Sequence, residues 1–168
     1  MLSSDGRDDD AMQTCYWRYK DYLREHEAHF PPSAYKLASS DWYHNFNDHH
    51  APHDGWLERA EFIETGKGER WEHRTLALRI RLLAAYHDAH IEFYYPQVYS
   101  YSFQAPAVMR GHMDWRYDEM RLSQDNKLIH EIEWSGAPFV AESHWLIEAN
   151  DVIYSWLPFN SPPLAGGA

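Results

Sequence analysis

A chain of 168 residues with 44 % hydrophobic and 16 % aromatic residues holds enough apolar material for one packed domain, which excludes global disorder. The formal net charge of -11 argues against nucleic acid as a partner, because phosphates need a basic surface, and favours a basic one. The single cysteine, Cys15, excludes an intrachain disulfide and a Cys-rich zinc site, and no apolar run approaches the roughly 20 residues of a membrane helix.

Met1 to Asp10 is polar and acidic, with neither a basic n-region nor an apolar h-region. It reads as a flexible leader over residues 1–10 rather than a signal peptide, and a cytoplasmic location is expected. Met12, Tyr16, Tyr19, Leu23, His26 and Phe30 then follow at helical spacing, closed by Pro31-Pro32. A second helix is expected over Ser33 to Phe46, with Tyr35, Leu37, Trp42, Tyr43 and Phe46 as its apolar set.

After Asp54-Gly55 the period falls to that of strands. Trp56 to Ile63 is the first strand, with a turn at Gly66-Lys67-Gly68. Leu76, Leu78, Ile80 and Leu82 alternate with Ala77, Arg79 and Arg81 in the second, so the arginines take the open face. Ile91, Phe93, Tyr95, Tyr99, Tyr101 and Phe103 share one parity along a long third strand, in which Pro96 marks an edge or a bulge. Met113, Trp115 and Tyr117 share a face, while Met120 and Leu122 have the opposite parity, which places a bulge at Asp118-Glu119. Leu128 to Trp134, Phe139 to Ala149 and Val152 to Trp156 complete the strands, and residues 159–168 read as a flexible tail. The expected fold is α+β: a single domain over residues 11–158, with two N-terminal helices packed on a curved antiparallel meander sheet of about six or seven strands.

The run from His44 to Asp54 holds His44, His49, His50, His53, Asp48 and Asp54, and imidazoles with carboxylates are donors for zinc or nickel. A metal-dependent hydrolase using this cluster is the alternative reading. The spacing fits no closed site, and such groups at a helix–sheet junction also satisfy orphan carbonyls and turns, so the structural role is preferred and no metal or cofactor is assigned. His53-Asp54 and His87-Asp88 stand at strand mouths, not within the helical bundle that paired His-Asp phosphohydrolases use. His26 and His29 lie three apart on a helix, but His26 belongs to the apolar stripe. Neither a Gly-x-Ser-x-Gly elbow nor a phosphate-binding Gly-rich loop is present, and no catalytic residue is assigned.

What remains is a surface. Asp114, Asp118, Glu119, Asp125, Glu131, Glu133, Glu142 and Glu148 fall on the C-terminal strands, with Trp115, Tyr117, Trp134, Trp145 and Tyr154 among them. Aromatic anchors amid charge suit a protein interface, and the expected partner-binding set is Asp114, Trp115, Tyr117, Asp118, Glu119, Glu131 and Glu133. The competing reading puts the aromatics in the core and the acids in water.

Several segments in fixed order carry a resemblance: His53-Asp54-Gly55-Trp56-Leu57-Glu58, then Leu76 to Asp88 and Ile91 to Tyr101, Gly111 to Glu119, His130-Glu131-Ile132-Glu133-Trp134 and Trp145-Leu146-Ile147-Glu148. Over about residues 50 to 157 the chain resembles small uncharacterised bacterial proteins similar to immunity proteins of polymorphic toxin systems. The resemblance implies a non-catalytic, cytoplasmic protein that neutralises a cognate toxin domain, such as a basic nuclease, by direct contact. It carries over no site residue by position, because such families vary their surfaces.

Overall fold

The computed structural model describes residues 9–105, 111–135 and 143–159. The chain opens with helix α1 (Asp9–His26), a short 3-10 turn (Glu27–His29) and helix α2 (Pro32–Ser39). Eight strands follow: β1 (Trp56–Lys67), β2 (His73–Leu83), β3 (Ala89–Tyr95), β4 (Val98–Gln104), β5 (Asp114–Leu122), β6 (Leu128–Ser135), β7 (Ser143–Ala149) and β8 (Ile153–Pro158). They form one antiparallel sheet in the order β4-β7-β6-β5-β1-β2-β3-β8. The fold is α+β with its helices at the N-terminus, as the change of period after Asp54-Gly55 requires, and it has eight strands where six or seven were expected.

Two three-stranded meanders build the sheet, β1-β2-β3 and β5-β6-β7. Among the described residues a single ladder pair, Trp56↔Asp114, joins them, and backbone hydrogen bonds from Asp54 to Trp115 and from Trp115 to Gly55 extend it. Helix α1 lies along the edge of β5. The Tyr19 hydroxyl donates to the Met120 carbonyl and accepts from the Met120 amide, both at 2.9 Å, and the Leu122 amide donates to the Tyr22 hydroxyl at 2.9 Å. Two phenols of a helix thereby satisfy backbone groups of β5 that a neighbouring strand would otherwise pair. Tyr19, Leu23 and Phe30 of the predicted helical stripe are buried, and Tyr16 and His26 are half-buried.

The sheet curls without closing. Its inner face is filled by Leu78, Ile80, Leu82, Ile91, Phe93, Trp115, Ile132, Trp134, Trp145 and Ile147. Phe93 and Trp115 stack across it with ring centres 5.0 Å apart. Phe62 of β1 lies 4.6 Å from Tyr101 of β4, so the curl brings the first meander against the edge strand that flanks the second. The outermost strands, β4 (VYSYSFQ) and β8 (IYSWLP), contain no charged residue.

Four details depart from the sequence reading. The second helix stops at Ser39, and 41–50 run as successive turns, because Ser40 is already extended. The long third strand breaks at Pro96-Gln97, and its halves become β3 and β4 on opposite sides of the sheet; Pro96 acts as a corner. Strand β1 runs on to Lys67, past the turn expected at Gly66. The bulge in β5 sits between Trp115 and Tyr117, not at Asp118-Glu119. All of the expected tail except Phe159 and all but the end of the expected leader lie outside the described residues, as does Glu142.

Candidate binding face

Moving the bulge to Arg116 redirects the side chains of β5. Trp115, Asp118 and Met120 point inward, whereas Asp114, Tyr117, Glu119 and Arg121 take the outer face. Trp115 (0 % exposed), Asp118 (7 %) and Glu119 (6 %) are buried, so the seven expected contact residues do not make one open surface.

Asp118 anchors a polar network inside the core. One carboxylate oxygen accepts from the Tyr43 hydroxyl at 2.7 Å and faces His130 Nε2 at 3.0 Å, and the other accepts from the Trp115 indole at 3.0 Å. His130 Nδ1 in turn meets the Tyr95 hydroxyl at 2.7 Å. Burial alone would push the Asp118 carboxyl up, but the hydrogen bond and charge of His130 outweigh it and hold the group below the usual carboxylate range. Burial pushes the phenols of Tyr43 and Tyr95 well up, and the Asp118 charge adds to it. Side chains from β3, β5, β6 and the turn after α2 meet here, sealed beneath aromatic rings. Such a network fixes how helix-side turns dock on the sheet.

The outer face of β5, β6, β7 and β4 is a different surface. Strand register sets it out in rows: Tyr117 beside Glu133 and His144, then Glu119 beside Glu131, Leu146 and Ser102, then Arg121 beside Ile129, Glu148 and Ser100. Glu131 is its hub, accepting from Arg121 at 3.0 Å and contacting His144 Nε2 at 2.7 Å. Burial raises the Glu131 carboxyl, but Arg121 and His144 together pull it below its ordinary value. Asp114 stands at the head of this face, where its Oδ1 accepts from the indole of Trp56 at 2.8 Å. Tyr117, Glu119, Glu131 and Glu133 of the expected set therefore share one side of the sheet, with Asp114 at its end. Glu148, His144 and Trp56 belong with them. Only cross-strand register reveals that grouping, and a single strand read alone does not carry it.

The histidine run is dispersed along the 41–54 turns. His44 is wedged edge-on between Tyr16, Tyr19 and Tyr43, and burial lowers its pKa. His49 stacks on Tyr86 and contacts Asp88, while His50 contacts Asp48 at 2.9 Å and lies against Trp156. His53 stacks on Phe46 with ring centres 3.7 Å apart, and burial lowers its pKa too. Among the described residues no group of three or more His, Cys, Asp or Glu is placed to hold a metal ion. His26 spends Nδ1 on the Tyr22 carbonyl at 3.0 Å, and its ring lies tilted against that tyrosine with centres 4.4 Å apart.

No family model, no curated protein and no solved structure matches this chain. Among the described residues no helix is long and apolar enough to cross a membrane.

Proposed function

We propose that this chain is a non-catalytic cytoplasmic binding protein that neutralises a basic protein toxin domain, in the manner of an immunity protein, by docking the outer face of β5–β6–β7. The observation that carries the reading is the register that collects Asp114, Tyr117, Glu131, Glu133 and Glu148 on one side of the sheet, with Glu119 buried among them. A net charge of -11 supplies long-range attraction for a basic surface and speeds encounter with it. The resemblance of about residues 50 to 157 to small bacterial proteins similar to immunity proteins is what names a toxin domain as that basic partner.

The test is co-purification with the products of neighbouring genes, followed by a toxin-activity assay. Stoichiometric capture of a basic domain whose toxic activity falls on binding supports the proposal. The double substitution Glu131→Lys and Glu133→Lys should then weaken the complex at least about tenfold. Undiminished affinity in a folded double variant removes this face, and recovery of no such domain removes the function.

A further inference from the structure

Where β1 and β5 meet at the Trp56↔Asp114 pair, a cleft of about 370 Å³ is lined by Trp56, Leu57, Gly111, His112, Met113 and Asp114. Trp56 is half exposed despite its size, at 50 %, and is fixed in place: its indole nitrogen is tied to Asp114 Oδ1 at 2.8 Å and its ring meets His87 edge-on at 4.8 Å. A tryptophan so held loses little conformational entropy on binding, which is the property of an interface anchor. Only one oxygen of Asp114 is used by the indole, and among the described residues no partner is recorded for the other. Arg116, the nearest cation along β5, is engaged elsewhere: its guanidinium sits 3.7 Å from Asp54 and over the Tyr117 ring.

We propose that this cleft receives an arginine side chain of the basic partner, a refinement that rests on the binding reading above. The guanidinium plane stacks on the exposed indole and donates to the remaining oxygen of Asp114, while its methylenes lie along Leu57 and Met113. A lysine ammonium lacks both the plane and the fork that these two groups together recognise. The acidic outer face steers the partner in, and the cleft fixes where it lands.

The test uses the isolated full chain and N-acetyl-arginine amide, read at the indole signal of Trp56 in nitrogen–proton correlation spectra. Loss of one indole signal in Trp56→Phe assigns it. The expected result is a saturable shift of that signal, with N-acetyl-citrulline amide, which keeps the shape without the charge, binding at least about tenfold more weakly. Asp114→Asn keeps an oxygen for the indole and should weaken arginine binding by about the same factor. An unmoved Trp56 signal, an equal response to citrulline amide, or full binding by Asp114→Asn overturns the proposal. Because the probe needs no protein partner, arginine binding without toxin capture would sink the functional reading alone. Toxin capture undiminished by Trp56→Ala would sink the cleft alone.

Discussion

At the scale of single residues, the decisive fact is which way β5 turns Asp118. An acid beside a glutamate reads as solvated from sequence, since buried carboxylates are rare unless paired. The pairing was out of sight, because Tyr43, Tyr95 and His130 come from three other segments. The parity change between Tyr117 and Met120 was legible, but hydrophobicity alone could not say which residue was the extra one. Removing one partner from this network leaves the others buried and unpaired. Asp118→Ala should cost about 3–5 kcal/mol and Tyr95→Phe about 1–2 kcal/mol, both read from urea unfolding at pH 7. Acid should weaken the fold in two stages. Burial keeps His44, His53 and His112 neutral, with folded pKa values below those of the unfolded chain. The unfolded chain therefore takes up protons first, and the stability these groups contribute declines as pH falls below about 6.5. Asp118, Glu131 and Asp48 are held below the usual carboxylate range, so their contribution is full above about 4 and lost beneath it. Urea midpoints against pH should show both declines, and His44→Phe, which also removes a buried unpartnered Nε2, should shrink the first.

At the scale of elements, strands that alternate cleanly were readable: β2 and β3 match the Leu76–Leu82 and Ile91–Tyr95 patterns, and α1 matches its stripe. The split of β3 from β4 was not readable, since Tyr99, Tyr101 and Phe103 keep the parity of Phe93 across the Pro96 corner. Nor does any pattern in α1 announce that its tyrosines stand in for a strand. Tyr19→Phe removes both hydrogen bonds at Met120 with little change of shape and should destabilise the fold by about 2–4 kcal/mol. A loss below about 0.5 kcal/mol would mean that water replaces the phenol without cost. Helix α2 shows the same long reach. Pro31 provides no side-chain cap, and the Asp151 carboxylate accepts from the amides of Ser33 and Ala34 at 3.3 and 2.9 Å. Asp151→Ala should cost about 1–2 kcal/mol, the value of a helix cap supplied from more than a hundred residues away.

At the scale of the whole molecule, the change of hydrophobic period announced the α+β fold and composition the acidity, while the candidate face needed the register of four strands. Its proposed use makes a plain demand on kinetics. If attraction by a -11 chain brings a basic partner in, the association rate should fall steeply as ionic strength rises from about 0.01 to 0.15 M, while dissociation changes little. Stopped-flow measurement checks this, and a salt-independent association rate would place the energy of the complex in apolar contact instead.

The uncharged outer strands bear on how the protein behaves in concentrated solution. Proteins commonly guard sheet margins with lysine or other charge, and β4 and β8 carry none. Mutual repulsion between like-charged molecules does that work here, and it vanishes near the isoelectric point of about 5.4. Lateral self-association should therefore set in as pH approaches that value, seen as rising light scattering at constant protein concentration. Ser155→Lys on β8 should suppress it at that margin, and scattering unchanged by the lysine would trace the association to another surface.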